Sequence, residues 1–131
     1  MIKETRIAVD AMGGDGGPKI IMPSIKDFIL ENEDISVKIY GDENILSNYL
    51  KIFNDDTISR IEIIHSDEKV LSTDSPSHAL RHKKKSSMRL AINSVKDEDA
   101  SACVSAGNTG ALMALSKIIL KMIPGIDRPA I

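Results

Sequence analysis

The sequence of 131 residues has a single cysteine, Cys103, so it can form neither an internal disulfide nor a zinc site built from several cysteines. It has two Tyr, two Phe and no Trp, which is too few aromatics for a platform that stacks single-stranded nucleic acid. The 17 Lys+Arg nearly balance the 19 Asp+Glu, so the basic face that duplex DNA requires is not expected. We therefore predict no nucleic-acid partner.

Long apolar runs are also missing. The longest spans about five residues, 111–115, whereas a membrane span needs about 20. The N-terminal residues carry no apolar segment of the kind found in signal peptides, so a cytoplasmic location is expected. His78 and His82 are four residues apart, but no acidic third ligand is placed on the same face, and we predict no metal.

Strand-like and helix-like segments alternate along the chain, which has the length of one domain. Such alternation predicts right-handed βαβ units, a mostly parallel sheet covered by helices on both faces, and ligand sites at the carboxyl ends of the strands. Pro23 is expected in the first turn of its helix, and Asp42 is expected to cap the next helix. Strands are predicted over 5–10, 35–40, 61–65 and 102–106, and helices over 23–31, 43–53, 77–84, 87–96 and 109–122. The last residues, 128–131, read as the approach to a fifth strand, so the sheet is expected to be truncated here.

The first loop rich in glycine covers residues 10–18 and follows the first predicted strand. It is not a dinucleotide fingerprint, because the third glycine of that motif would fall on Lys19, and it is not a Walker A loop. Asp10 and Asp15 place two carboxylates there, beside Gly13 and Gly14. Two interpretations stay open: a loop that positions substrate or does acid–base work, and a flexible turn in which Asp caps the backbone.

The second loop begins with Ser105 at the end of the fourth predicted strand and opens the last helix. Gly107 and Gly110 would allow a ligand close to the backbone, and Asn108 or Thr109 would cap the helix. Free N–H groups at a helix N-terminus form an anion site, so phosphate binding is favoured over an ordinary capped helix start.

Six basic or potentially basic residues fall within the segment 81–89. Arg81 and Lys83, Lys84 and Lys85 would dock an acidic partner or form a solvated face. Ser86, Ser87 and Arg89 would bind phosphate, or the serines would simply cap the next helix. Cys103 falls inside a predicted strand, which favours a buried apolar role over a catalytic thiol.

Three motifs together resemble one family: residues 8–15 with Pro18, residues 86–89 (SSMR), and residues 103–113 (CVSAGNTGALM). The tail 124–130 (PGIDRPA) also fits. In order and spacing, the chain from Arg6 onward is similar to the N-terminal part of the PlsX family, the bacterial phosphate acyltransferases of phospholipid synthesis.

This resemblance implies a reaction in which a fatty acyl group passes from acyl carrier protein to inorganic phosphate, giving acyl phosphate and needing no cofactor. It implies a three-layer α/β/α sandwich related to phosphotransacetylases and isocitrate dehydrogenases, with residues 1–131 as the N-terminal part of a single domain. It also implies a homodimer that works in the cytoplasm, peripherally at the inner face of the cell membrane, where a membrane acyltransferase takes the product.

The resemblance further implies roles for individual residues. Asp10, Asp15, Asn108 and Thr109 would take part in catalysis. The docking surface for acyl carrier protein would be Arg81, Lys83, Lys84 and Lys85. Phosphate or substrate would contact Gly13, Gly14, Ser86, Ser87, Arg89, Ser105, Gly107 and Gly110.

Members of that family are much longer than this chain, which leaves two alternatives open. One is a truncated module that binds acyl carrier protein without turnover. The other is a related enzyme, either a phosphotransacetylase or a nucleotide-dependent dehydrogenase, although the missing dinucleotide fingerprint weakens the dehydrogenase.

Overall fold

The computed structural model describes residues 4–129, which form four strands, six α-helices and one 3₁₀ helix. The strands are β1 (Thr5–Asp10), β2 (Ile35–Gly41), β3 (Ile61–His65) and β4 (Ala102–Ser105). The helices are α1 (Pro18–Glu31), α2 (Glu43–Leu46), the 3₁₀ helix (Ser47–Ile52), α3 (Asp55–Ile58), α4 (Pro76–His82), α5 (Ser87–Lys96) and α6 (Thr109–Leu120). None of the helices within these residues is long and apolar enough to cross a membrane.

All four strands are parallel and lie in the order β3-β2-β1-β4, which confirms the predicted α/β sheet. The chain builds outward from β1 to β3 and then crosses back to place β4 on the other side of β1. The strand order therefore reverses between β1 and β4, where Asp10 lies opposite Ser105 in the register. In open parallel sheets, ligands bind in the crevice outside the carboxyl ends of the strands at this reversal.

Helices cover both faces of the sheet, as the predicted three layers require. On one face, α1, α2 and the 3₁₀ helix bury alternate strand residues against their own apolar side chains. On the other face, α5 packs on Ala8 and Tyr40, and α6 packs against α4 and α5. The largest buried side chains of the first core are Met22, Ile29, Ile39 and Leu46, and those of the second are Met88, Ile92 and Leu115.

The first helix begins five residues earlier than predicted. Pro18 occupies its first turn, where the missing N–H costs no hydrogen bond, and the N–H of Ile21 donates to the carbonyl of Gly17. Pro23, expected in the first turn, lies inside the helix instead, so that prediction is wrong. The lost hydrogen bond to Lys19 falls where the helix surface is exposed and water can replace it.

The single helix predicted over 43–53 is also wrong. Asp42 caps α2 as expected, accepting a hydrogen bond from the N–H of Asn44 at 2.9 Å, but α2 gives way to the 3₁₀ helix after four residues. The side chains of Ser47 and Asn48 both donate to the carbonyl of Asn44, and such bonds compete with the regular helix. The short helix α3, begun by a capping box between Asn54 and Thr57, was not predicted.

The remaining boundaries differ from prediction by one or two residues. Helix α4 starts at Pro76 because the Oγ of Ser75 caps it, and α6 ends at Leu120 because Lys121 adopts a φ of 66°. Strand β4 ends at Ser105, one residue short of its predicted end. In the predicted fifth strand, residues 128 and 129 are not extended into the sheet, and residues 130 and 131 lie outside the described part of the chain.

Candidate functional site

The carboxylate of Asp10 lies at the end of β1 and is only 2% exposed. It accepts hydrogen bonds from the Oγ of Ser87 at 2.6 Å, the Oγ of Ser105 at 2.8 Å and the N–H of Met12 at 3.2 Å. These donors come from the start of α5, the end of β4 and the loop after β1. Because a buried carboxylate is costly without such partners, Asp10 holds three separate segments in one arrangement.

The two glycine loops pack directly on each other. A Cβ atom added at Gly13 would lie 2.6 Å from the Oδ2 of Asp10 and 3.0 Å from the N of Gly107. Gly14 has a φ of 88°, and a Cβ there would lie 3.0 Å from the carbonyl oxygen of Ala106. Glycine at position 13 is therefore required by a close approach of backbones, and at position 14 by its positive φ as well.

Asn108 joins the start of α6 to the loop that follows β3. Its Oδ1 accepts from the N–H of Ala111 at 3.1 Å, so of the two caps considered for α6, Asn108 is the one used. Its Nδ2 donates to the carbonyls of Leu71 at 3.0 Å and Asp74 at 2.7 Å. Both ends of the side chain are engaged, so Asn108 positions the two segments with respect to each other.

These contacts leave a cleft of about 640 Å³ at the carboxyl end of the sheet, next to the strand reversal. Its walls come from the loop after β1, the loop after β3 and the start of α6. Thr109 and Gly110 are exposed in it, and their N–H groups precede the first hydrogen bonds of the helix, so they are open to a ligand. The lining residues are Met12, Gly14, Asp15, Lys69, Val70, Leu71, Ser72, Thr73, Ala106, Gly107, Asn108, Thr109 and Gly110.

Three predicted phosphate ligands are not among the residues that line this cleft. Ser86 is fully buried and caps α5, its Oγ accepting from the N–H of Arg89 at 3.2 Å. Ser87 is also fully buried and donates to Asp10, and Nη1 of Arg89 donates to the carbonyl of Leu80 at 3.0 Å. Their contact with phosphate stays a prediction, and in the structure the three side chains make hydrogen bonds within the protein.

The basic segment 81–85 begins in the last turn of α4 and lies beside the loop that walls the cleft. Arg81, Lys84 and Lys85 are exposed. Lys83 is half-buried, with its Nζ 3.9 Å from the Oδ2 of Asp74, the residue whose carbonyl accepts from Asn108. The surface is therefore connected to the loop that walls the cleft through Asp74 and through the backbone of Lys85.

A family model described as "Fatty acid synthesis protein" matches residues 5–131. The chain belongs to this family. It is 54% identical over 127 residues to a protein named phosphate acyltransferase from Methylococcus capsulatus, covering 97% of this chain and 38% of that protein. It is 50% identical over 125 residues to a protein of the same name from Photobacterium profundum, covering 95% of this chain and 37% of that protein. The chain thus spans a little over a third of the length of these relatives.

Cys103 is unsuited to nucleophilic work in this member of the family. Burial, with a smaller contribution from the negative charge of Asp10, raises the pKa of its thiol from 9.0 to about 11. The thiol is protonated near neutral pH, whereas thiol nucleophiles act as thiolates. Among residues 4–129 no group of three or more His, Cys, Asp or Glu side chains is arranged to hold a metal ion.

Lys69 is the charged cleft residue that sequence reasoning missed. It is exposed on the wall formed by the loop after β3, in the same cleft as Asp15 and Thr109. Nothing in its local sequence marks it, because it belongs to no motif of glycines or hydroxyls. The loop reaches the start of α6 through the hydrogen bonds from Asn108 to Leu71 and Asp74, and through Val70, which is buried in the same cluster as Ala111.

Proposed function

We propose that this chain carries the phosphate-binding part of an enzyme that transfers a fatty acyl group from acyl carrier protein to inorganic phosphate. The printed name of its relatives, phosphate acyltransferase, supports acyl transfer, and the family description supports a place in lipid synthesis. The observation that carries the proposal is the cleft at the strand reversal. There, Lys69 and the open N–H groups at the start of α6 belong to one cleft, and both favour an anion.

The reaction sets two requirements for the cleft, which are to position the phosphate and to stabilise developing charge. An oxygen of phosphate attacks the carbonyl carbon of the thioester, forming a C–O bond, and the C–S bond then breaks. The sulfur leaves with the electron pair and takes up a proton to become the free thiol of the carrier protein. The site must hold the phosphate against the carbonyl and stabilise the negative charge that develops on the carbonyl oxygen.

We assign these tasks to the start of α6. Thr109 and Gly110 line the cleft, and the proposed donors are their N–H groups and the hydroxyl of Thr109. Asp15 also lines the cleft, where it would orient a basic group of the substrate or of the protein. Asp10 and Asn108 act through other residues, because their side chains are occupied by bonds within the protein. No step requires an acyl-enzyme, so the protonated Cys103 is not needed.

The basic surface of Arg81, Lys83, Lys84 and Lys85 is the proposed dock for acyl carrier protein. Carrier proteins are acidic, and complementary charge speeds the encounter of two such surfaces. The surface adjoins the loop that walls the cleft, so a docked carrier would present its thioester close to α6. The homodimer and the peripheral work at the inner face of the membrane belong to the same proposal.

The test is formation of acyl phosphate from acyl carrier protein and phosphate, trapped as the hydroxamate with hydroxylamine. Reactions without phosphate are the control for hydrolysis, and the relative from Methylococcus capsulatus is the positive control. Hydroxamate that depends on phosphate supports the proposal. Product from the relative but none from this chain contradicts a sufficient catalytic set within these residues, and no effect of phosphate on either contradicts the reaction.

A further inference from the structure

A second groove, of about 350 Å³, runs along α6 and is separate from the polar cleft. One wall is the outward face of the helix, and the other is the segment 121–129, which turns back beside it. Most of the lining is apolar. Six of the side chains are Leu112, Met113, Leu120, Met122, Ile123 and Ile126.

The groove and the cleft share one face of α6. Thr109 lines the cleft, while Met113, Ser116 and Leu120 line the groove. These four residues are spaced at i, i+4, i+7 and i+11, which places them on the same side of a helix. The distance along the axis from the first to the last is about 16 Å at a rise of about 1.5 Å per residue.

The opposite face of α6 is occupied by the core. Ala111, Leu115 and Ile119 are buried against α4 and α5, so the stripe that begins at Thr109 does not hold the helix in the fold. The segment that forms the other wall of the groove is also exposed: Ile123 is 75% exposed and Ile126 is 52% exposed. Adjacent exposed apolar side chains of this kind mark a binding surface.

We propose that the groove on α6 holds the hydrocarbon chain of the acyl group whose thioester lies in the cleft. This inference rests on the proposed function. A polar cleft and an apolar groove on one helix face match the two parts of an acyl thioester, whose reacting end is polar and whose tail is apolar. Lys117 and Lys121 also line the groove, and their methylene stems extend an apolar wall while the ammonium groups stay in water.

The test compares binding of two amide analogues of acyl-pantetheine, with four-carbon and twelve-carbon acyl chains, in which nitrogen replaces the thioester sulfur. Titration calorimetry below the micelle concentration is expected to show the longer analogue binding at least about 100-fold more tightly, because full burial of only about three or four of its eight additional methylenes gives that factor. Leu120→Asp places a carboxylate in the groove and is expected to remove most of that difference. Ser116→Phe fills the groove without a charge and is expected to do the same.

Ile118→Asp is the matched control. It makes the same kind of change two residues away, at a side chain that is 53% exposed, against 40% for Leu120, and that does not line the groove. It should leave the chain-length difference intact. Circular dichroism of all three variants checks that the helix content is kept.

The inference is overturned if both analogues bind equally, if neither binds, or if Ile118→Asp reduces the difference as much as Leu120→Asp. It is also overturned if sedimentation shows that the groove is covered by a second copy, with Leu120→Asp dissociating the pair and no chain-length difference. Acyl-phosphate formation from a four-carbon thioester tests the cleft alone, because so short a chain does not reach Leu120. Failure of that reaction counts against the proposed function, whereas a lost chain-length difference counts against the groove.

Discussion

The Oγ of Ser87 donates a hydrogen bond of 2.6 Å to the Oδ1 of Asp10, although the two residues are 77 positions apart. Both are buried, and the bond connects the end of the first strand to the start of α5, the helix that packs on that strand. Ser105 completes the arrangement by donating to the other carboxylate oxygen. The cleft is therefore shaped by a buried polar cluster behind it, and removal of one member is expected to disturb both stability and the site.

Ser87→Ala tests the cluster directly. It leaves one oxygen of a buried carboxylate without its side-chain donor, which is expected to lower the free energy of unfolding by about 1.5–3 kcal/mol. Urea denaturation followed by circular dichroism measures the change. Ser24→Ala is the control, because Ser24 is exposed and bonds only to Ile20 in its own helix, so the change should stay within about 0.5 kcal/mol. Equal effects of the two substitutions would contradict the role given to the cluster.

Gly13→Ala tests the close approach of the two glycine loops. The added methyl group would lie 2.6 Å from the Oδ2 of Asp10, so the loops must separate, at an expected cost of about 1–3 kcal/mol of stability. Gly110→Ala is a suitable comparison: its Cβ would meet the Cγ of Pro76 at 3.3 Å, and alanine favours a helix over glycine. Denaturation midpoints of both variants show whether Gly13→Ala lowers stability more than Gly110→Ala does. A Gly13→Ala protein as stable as Gly110→Ala would show that the loops can move apart freely.

The strands could be predicted because short β-branched runs that end at glycine or polar loops leave few alternatives. The segment 43–53 could not, because its apolar spacing suits an α-helix while Ser47 and Asn48 bond back to Asn44 and shorten it. Pro23 led to the opposite error, because it predicted a helix start at a position that lies inside α1. Its position in the interior of α1 is tolerated because the hydrogen bond that it removes, to Lys19, falls on an exposed part of the helix.

The candidate site also has parts that could be predicted from the sequence and parts that could not. The loops around Gly13 and Gly107 could be predicted from local composition, as could the cap at Asn108. The wall that carries Lys69 could not, because it depends on hydrogen bonds from Asn108 to residues more than 30 positions away. Nor does local sequence reveal that Ser87 is occupied by Asp10.

Cys103 is expected to react slowly with iodoacetamide in the folded protein. A pKa of about 11 in place of 9.0 leaves about 100-fold less thiolate near pH 8. The rate in the native protein should rise toward pH 11, whereas in urea it should level off near pH 9. Because the folded-state pKa is raised, the stability linked to this group is present below pH 9 and is lost as the pH rises through 11. Identical rate profiles with and without urea would refute the raised pKa.

Charge reversal at Lys84 and Lys85 tests the proposed carrier dock. Both side chains are exposed, so Lys84→Glu with Lys85→Glu should preserve the fold while slowing association with acyl carrier protein about tenfold or more at low salt. Stopped-flow binding at two ionic strengths measures the effect, which should shrink as salt rises. Lys51→Glu, on the face of the sheet covered by α1, is the control. If association is unchanged by the double reversal, the carrier docks elsewhere.

Thr109→Val tests the start of α6 most economically, because valine keeps the shape of threonine and removes only the hydroxyl. Asn108 still caps the helix, so stability should change by less than about 0.5 kcal/mol. If the hydroxyl contacts phosphate or the developing oxyanion, the rate of acyl-phosphate formation should fall about 100- to 1000-fold. Thr5→Val makes the same change at the start of β1, at the end of the sheet away from the cleft, and should leave the rate intact.

The effects on kcat and on the KM for phosphate then assign a role to the hydroxyl of Thr109. A raised KM alone indicates ground-state binding, and a lowered kcat indicates stabilisation of the transition state. If neither constant changes, the hydroxyl of Thr109 takes no part in phosphate binding or catalysis.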